Sequence, residues 1–287
     1  MFGKNKKHIN PMLRDSKGDK IFRFFSGLFL ILLAAIVLYP VYFIIIASFS
    51  DPDAVLAGKV VLWPVDINLD GYIKIMERTD VWLGYRNTIV YTLLTVVLSL
   101  VVTIPAGWAL SRKNLPGKKF LMMYFTIPMF FGGGLIPFYN VMSSLGLINT
   151  IWAIVLPSIL SVWNLFMTKT FFESSIPNGL IEAAKIDGAG HFRTFTAVVL
   201  PLAKAIMAVM ALYYAVGQWN SYFNAMIYLR SPERYPLQLV MRNILINNEM
   251  AATAMTGSAA AELNRKANLI KYCAIVVSSL PIMTIQS

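Results

Sequence analysis

Residues 22–49 read FRFFSGLFLILLAAIVLYPVYFIIIASF, a run in which Arg23 is the only charged residue. A helix needs about 20 mostly apolar residues to cross the roughly 30 Å hydrocarbon core of a bilayer. This run is longer than the apolar part of a signal peptide, and no small-residue cleavage site follows it. It therefore predicts a membrane-spanning helix that stays in the protein.

Further apolar runs of similar length follow along the chain, and the last reaches residue 287 with barely enough length to span. They are residues 88–110, 120–142, 151–167 (continuing toward 172), 206–229 and 269–287. Only 14% of the chain is charged, against about 25% in a typical soluble domain. We therefore expect an all-α, polytopic protein with six transmembrane helices in contact with lipid. Residues 1–21 form a cytoplasmic tail, and residues 22–287 form one transmembrane domain.

The distribution of Lys and Arg predicts the orientation, because cytoplasmic segments of membrane proteins carry an excess of them. With the N-terminus inside, the inner segments hold 15 basic and 5 acidic residues, and the outer segments hold 10 and 9. Almost all of the formal net charge of +11 therefore lies inside. This pattern predicts a multi-pass cell-membrane protein with both termini in the cytoplasm. No basic stripe interleaved with aromatic residues indicates a nucleic-acid partner.

The longest inner loop, residues 173–204, contains the sequence SSIPNGLIEAAKIDGAGHFRTFTAVVLPL at 174–202. Pro177 suits a helix start, and Gly188 suits a helix end that requires positive φ. The charged residues between them keep this short helix out of the lipid, and Ala183 and Ala184 allow close approach of another surface. The pattern predicts a short cytoplasmic helix that docks on a partner. An amphipathic loop that only connects two spans is the alternative.

This loop resembles the EAA loop of binding-protein-dependent (MetI-like) permeases of ABC importers. The resemblance rests on Glu182-Ala183-Ala184, on Asp187-Gly188-Ala189 and on Leu200-Pro201-Leu202, at the family's spacing. It implies the type I ABC importer permease fold and a coupling helix that seats in a cleft of an ATPase subunit. Glu182, Ala183, Ala184, Asp187 and Gly188 would form the coupling site, with Glu182 facing the ATPase and Gly188 turning the backbone. Ala205 departs from the family, since many relatives have a second proline there.

Four further segments resemble the carbohydrate branch of this family, most of all permeases for oligosaccharides of the alginate-importer type. They are GGGLIP at 132–137, LGLINTIW at 145–152, QWNSYFNA at 218–225 and LVMRNI at 239–244. The resemblance implies two ATP-binding cassette subunits, a non-identical sister permease and an external solute-binding protein as partners. ATP and Mg would be bound by the ATPase subunits, with no cofactor in this chain.

The sequence shows no phosphate-binding Gly-rich loop, paired carboxylates or metal-ligand spacing. We therefore expect a non-catalytic subunit whose energy comes from another chain. An ABC permease for peptides or amino acids is an alternative, although it would lack the segment 218–225. A secondary transporter, the alternative of another class, would need an acidic residue or ion site inside the membrane.

The fifth predicted span carries a polar stripe when it is drawn as one helix at 100° per residue. The stripe is formed by Tyr213, Gly217, Asn220, Ser221, Asn224 and Tyr228, with Trp219, Phe223 and Met226 on the far side. Polar groups rarely face lipid, so the stripe predicts either a wall of the translocation path or a helix–helix contact. Both interpretations stay open, and the same holds for the break that Gly132–Gly134 predict in the third span.

Overall fold

The computed structural model describes residues 16–254 and 258–286, and all regular secondary structure within these ranges is helical. The chain divides into two compact units, one ending at Leu69 and the other starting at Asp70. The first unit contains α1 (Lys17–Ser48) and α2 (Pro52–Leu56). The second contains α3 (Asp70–Met76), α4 (Thr79–Ser111), α5 (Lys118–Phe130), α6 (Leu135–Ser144), α7 (Trp152–Val155), α8 (Val162–Ser175), α9 (Asn178–Ile186), α10 (His191–Thr194), α11 (Leu200–Leu202), α12 (Lys204–Trp219), α13 (Phe223–Tyr228), α14 (Leu237–Ala254) and α15 (Ser258–Gln286). The prediction of an all-α fold is confirmed.

In the first unit, α1 begins before the apolar run because Ser16 and Asp19 form a reciprocal cap. The Ser16 hydroxyl accepts from the Asp19 N–H at 3.3 Å, and Asp19 Oδ2 accepts from the Ser16 N–H at 2.9 Å. Most of α1 is exposed and apolar within this unit, as expected for a helix whose solvent is lipid. At its far end, Ile46 packs with Ala54 and Val60 in a small core.

The two helices α1 and α4 are long and apolar enough to cross a bilayer by themselves. Three further spans are possible if each of three bent pairs of helices is counted as one, with bends of 116°, 42° and 77°. Up to Gln286, the predicted sixth span lies within α15, in which the stretch Ala267–Pro281 is apolar. The described helices therefore account for up to five crossings by length and composition, and the count of six stays a prediction.

Two of the predicted spans are not continuous helices. The run 120–142 breaks between α5 and α6, where Gly134 has φ +83° and the helices are bent by 116°. The run 206–229 ends as a helix at Trp219, and Asn220, the C-cap residue, donates to the Val216 carbonyl from its side chain at 3.0 Å and from its backbone N–H at 3.2 Å. A glycine and an asparagine therefore stand at these two breaks.

The core of the second unit is organised around α4, which packs on α8, α12 and α14. One face of α4 carries buried hydroxyl groups along its whole length. This hydroxyl stripe consists of Thr88, Thr92, Thr95, Ser99 and Thr103. Gly107 allows α8 to approach α4 closely, since a Cβ there would lie 2.6 Å from Thr168 Cγ2. Small and hydroxyl-bearing side chains are the usual packing surface between membrane helices.

Tyr214 joins three helices at the inner part of this core. Its hydroxyl lies 2.7 Å from Thr103 Oγ1 on α4, and it accepts the Ser161 N–H at 3.3 Å where α8 begins. The Tyr214 side chain is 5% exposed, whereas the neighbouring Tyr213 is 52% exposed. Tyr214 is therefore a structural residue, and only Tyr213 remains available for a solute or a partner.

We expect Tyr214→Phe to lower the stability of the purified protein by about 1–3 kcal/mol, because it leaves the Ser161 N–H and Thr103 hydroxyl without their partner. The measurement is the thermal midpoint in detergent, followed by the loss of the monodisperse peak on size exclusion. Tyr213→Phe is the matched control and should leave the midpoint unchanged. Equal midpoints for the two variants would contradict the bonding described for Tyr214.

Candidate functional site

The inner loop predicted to dock on a partner forms a separate short helix, α9, with well-defined ends. Pro177 is its N-cap residue, one position before the helical first turn that we expected. At the other end, the Ala189 N–H donates to the Ala184 carbonyl at 2.9 Å and the Gly188 N–H donates to the Lys185 carbonyl at 3.0 Å. With φ +76° at Gly188, these two bonds form a complete Schellman cap. The predicted stop at Gly188 is confirmed.

The predicted coupling residues lie on two different faces of α9. Glu182, Ala183, Asp187 and Gly188 are exposed to solvent. Ala184 is only 7% exposed, because it faces the protein's own interior. The expectation that Ala183 and Ala184 together form a small-residue docking face is therefore wrong for Ala184, which seats α9 on the rest of the chain. The other four residues are exposed, and their role in docking stays a prediction.

Two large apolar side chains beside these residues were missed by the sequence analysis. Ile186 is 86% exposed and Phe192 is 80% exposed, on either side of the Gly188 turn. An apolar side chain on a short charged helix, outside any predicted span, is the signal that would have identified them. Exposed apolar groups of this size commonly mark a protein contact. Together with Glu182 and Ala183 they define the knob surface.

The knob is connected to the long helices through a cluster of aromatic rings. The Trp108 ring, near the end of α4, lies 5.5 Å from the Phe172 ring and 6.4 Å from the Phe195 ring, between centroids. Phe195 belongs to the same buried cluster as Ile176 and Val199, and Ile181 of α9 packs against it. Direct contacts therefore connect α9 with the ends of α4 and α8.

Charged groups surround this aromatic cluster and tie neighbouring helices together. The Arg112 guanidinium lies 3.7 Å above the centre of the Trp108 ring. Glu173 at the end of α8 pairs with Lys169 at 2.7 Å and with Lys118, the first residue of α5, at 3.1 Å. Since these side chains are partly exposed, each pair contributes modestly to stability. Their main effect is to hold the ends of α5 and α8 beside the knob.

The predicted translocation stripe is divided by the end of α12. Tyr213 and Gly217 lie on one exposed face of α12, and Asn220 follows as its exposed C-cap residue. Ser221 and Asn224 lie beyond the break and are half-buried, so the five residues do not share one helical face. Tyr228 is buried and stacks on Tyr139 with ring centroids 6.1 Å apart. The prediction that Tyr228 shares one helical face with Tyr213 is therefore wrong.

The predicted far side of the stripe is also divided. Trp219 is buried, and its indole N–H donates to the Ser278 carbonyl at 3.3 Å. Phe223 and Met226 are exposed. The reason is the same break in the helix, since a rotation of 100° per residue holds only within one continuous helix.

Comparison with known proteins identifies this architecture. The family described as "Binding-protein-dependent transport system inner membrane component" matches residues 81–285, which include the knob and its aromatic cluster. Protein LplC of Bacillus subtilis is 32% identical over 273 residues, covering 95% of this chain and 92% of that protein. The polygalacturonan/rhamnogalacturonan transport system permease protein YtcP of Bacillus subtilis is 33% identical over 261 residues, with 90% and 89% covered.

A solved structure is similar over almost the whole chain. It is a chain of a bacterial ABC transporter involved in the import of the acidic polysaccharide alginate, with 32% identity and a TM-score of 0.83. The match covers 94% of this chain and 96% of that chain. With the family matched over most of the sequence and the fold shared with such a transporter, this chain belongs to the family of binding-protein-dependent transport system inner membrane components.

Proposed function

We propose that this chain is a permease subunit of an ATP-driven importer that carries oligosaccharides across a bacterial cell membrane. The observation that carries the proposal is the knob surface, a capped helix whose exposed apolar side chains have no partner of their own among the described residues. The polygalacturonan/rhamnogalacturonan permease YtcP and the alginate importer, which this chain resembles, support a saccharide rather than a peptide or amino acid. The solute of this chain is an oligosaccharide in this proposal.

The complete transporter contains two ATP-binding cassette subunits, a sister permease and a solute-binding protein outside the membrane. ATP and Mg are bound by the ATPase subunits, and this chain contributes the knob that docks into one of them. Membership of the family supports this set of partners. The inner segments taken together hold 15 basic and 5 acidic residues, and this excess supports a cytoplasmic position for the N-terminal tail and for the loop on the same side.

The mechanism we propose is alternating access. ATP binding closes the ATPase pair and draws the two knobs of the permease dimer together. The aromatic contacts of Trp108 with Phe172 and Phe195 pass this displacement to α4 and α8. The two permeases then face outward to receive solute, and ATP hydrolysis returns them to the inward-facing state. A coupling of this kind between distant sites is typically about 1–3 kcal/mol.

The solute path in this mechanism runs between the two permeases. Tyr213, Gly217 and Asn220 are exposed in the single chain and supply one wall of it, and a ring face and an amide suit the stacking and hydrogen bonding of a sugar. Ser221 and Asn224 continue the wall past the break. The buried hydroxyl stripe of α4 packs against α8 and α12 and is not part of this wall.

The test is co-expression with the neighbouring transporter subunits and purification by a tag on this chain. We expect both ATPase subunits and a sister permease to co-purify, and ATP hydrolysis in nanodiscs to rise several-fold with a saccharide-loaded binding protein. Loading the binding protein with peptides is the control. Solute uptake that runs on an ion gradient without any ATPase would identify a secondary transporter and refute the proposal.

A further inference from the structure

A cleft of about 590 Å³ lies at the opposite end of α4 from the knob, on the side that the proposed topology places outside. Its walls come from three segments of the second unit: the start of α4, the turn at 150–152 and the turn before α14. Binding sites for small molecules typically have volumes of about 300–1,000 Å³. The cleft is therefore large enough for a sugar unit or a short oligosaccharide.

Hydrogen bonds from α4 hold the turn before α14 in place. Asn87 Nδ2 donates to the Glu233 carbonyl at 2.7 Å and to the Tyr235 carbonyl at 3.1 Å. The Tyr91 hydroxyl donates to the Arg234 carbonyl at 2.9 Å. The backbone of Arg234, a residue that lines the cleft, is thus held from α4.

Asn149 holds the opposite wall. Its N–H donates to the Tyr228 carbonyl at 2.7 Å, and its Oδ1 accepts from the backbone N–H groups of Arg230 and Ser231 at 3.0 and 3.1 Å. With φ +59°, Asn149 turns the chain into the segment that carries Trp152. The walls are therefore preorganised before any ligand binds, which lowers the entropy lost on binding.

Arg86 and Arg234 are both among the residues that line the cleft, and both are exposed. Both are close enough to the Tyr91 hydroxyl to interact with it electrostatically. Neither forms an ion pair with any residue of the described ranges, whereas Arg78, near the same end of α4, is paired with Asp80 at 2.7 Å. Two unpaired like charges in one cleft favour an anionic ligand. Guanidinium groups bind carboxylates with two parallel hydrogen bonds.

Aromatic rings complete the surface of the cleft. Trp152 is 42% exposed and lines it together with Tyr91. Ring faces of Trp and Tyr combine an apolar surface with a polar edge, which suits the apolar face of a pyranose. A cleft with two free guanidinium groups and an exposed indole fits a sugar that carries a carboxylate better than it fits a neutral sugar.

We infer that this cleft binds a uronic-acid unit of the transported oligosaccharide, with the carboxylate on Arg86 and Arg234 and the sugar ring against Trp152. The inference deepens the proposed function and rests on it. It assigns acidic oligosaccharides as the substrate class and the cleft as the first contact of the substrate with this subunit. A carboxylate side chain of the solute-binding protein is the competing occupant, and the test separates the two.

The experiment measures equilibrium binding of a galacturonic-acid trisaccharide and of its methyl ester to the complete transporter in nanodiscs, without the binding protein. We expect the free acid to bind about tenfold more tightly than the ester, since each charge-assisted bond is worth that factor or more. Arg86→Gln and Arg234→Gln should each remove about that factor for the acid and leave the ester unchanged. Arg86→Lys should restore part of it, because the charge is kept.

Arg78→Gln is the matched control, because this arginine lies near the same end of α4 but outside the cleft. It should bind the acid and the ester as the wild type does.

Equal affinities of the wild-type transporter for the acid and the ester would by themselves overturn the inference. If the transporter takes up neutral oligosaccharides but no acidic ones, the inference is wrong and the proposed function still stands. Uptake of no saccharide at all would refute the proposed function itself. If the Gln variants change only the affinity for the binding protein, the cleft is a docking site for that protein, and the inference is wrong.

Discussion

Replacing Gly188 by valine is expected to lower transport by about tenfold or more while the assembled complex still hydrolyses ATP. Gly188 has φ +76°, and a Cβ at this position would meet nothing within 4 Å. The effect therefore comes from backbone strain and not from a clash. A left-handed conformation costs an L-residue about 1–2 kcal/mol, and more for a β-branched one.

The strain acts on the Schellman cap that ends α9. Without that cap, the chain no longer turns at a fixed angle from the knob toward Phe195 and the aromatic cluster. Movement of the ATPase then displaces α9 without displacing α4 and α8. We therefore expect ATP hydrolysis to be uncoupled from transport, although the ATPase and permease subunits remain folded and assembled.

A graded series of variants sharpens this prediction. Asparagine tolerates positive φ better than alanine, and alanine better than valine, so transport should fall in the order Gly188→Asn, Gly188→Ala, Gly188→Val. Gly190→Ala is the matched control, since Gly190 is extended with open space at its Cβ. The measurements are solute uptake and solute-stimulated hydrolysis in proteoliposomes. Normal uptake by Gly188→Val would show that the cap does not transmit the movement.

Replacing Ile186 by aspartate is expected to weaken the association of the ATPase by about 30-fold or more. Buried apolar anchors at the centre of an interface typically contribute about 2 kcal/mol or more. An acidic group at the same point would also lose its hydration on docking. Because Ile186 is 86% exposed in the free chain, the substitution leaves the fold of the permease unchanged.

The same reasoning predicts a smaller loss for Phe192→Ala, which removes an apolar contact without adding a charge. Ile67→Asp is the matched control, since Ile67 is 75% exposed and lies outside the knob and outside every predicted span. The measurement is the amount of ATPase that co-purifies at increasing salt and detergent. Full retention of the ATPase by Ile186→Asp would place the docking surface elsewhere.

These two predictions concern different properties of one loop. Gly188 determines the direction in which the chain leaves the knob, and Ile186 determines how strongly the knob is held. A variant of the first kind should give an assembled but uncoupled transporter. A variant of the second kind should give a permease without its ATPase. The two phenotypes are distinguishable by co-purification alone.

Much of the fold could be predicted, because its main determinants are local in sequence. Apolar runs identified the all-α membrane class, since lipid requires long unbroken runs of apolar side chains. The cap at Gly188 could be predicted for the same reason, because a positive φ selects glycine whatever the surroundings. Family membership confirms the non-catalytic, membrane-embedded subunit that was expected.

The predictions that failed all needed knowledge of neighbouring elements. Ala184 could not be distinguished from Ala183 by sequence, since both suit a small-residue face and only packing decides which one is buried. Tyr228 and Tyr213 fell on one face only as long as the helix was taken to be continuous. The helix ends at Trp219 with Asn220 as its C-cap residue, and a separate short helix begins at Phe223.

The sequence by itself determined the membrane class of this protein, and it predicts the side on which the basic residues lie and the loop that carries the coupling residues. These properties follow from composition and from short motifs, in which each residue acts through its own chemistry. The tertiary structure alone decided which knob residues are exposed and which helices contact the aromatic cluster beside the knob. It also decided that Arg86 and Arg234, which are 148 positions apart in the chain, line one cleft. Such contacts join distant segments, and no local pattern encodes the distance between them.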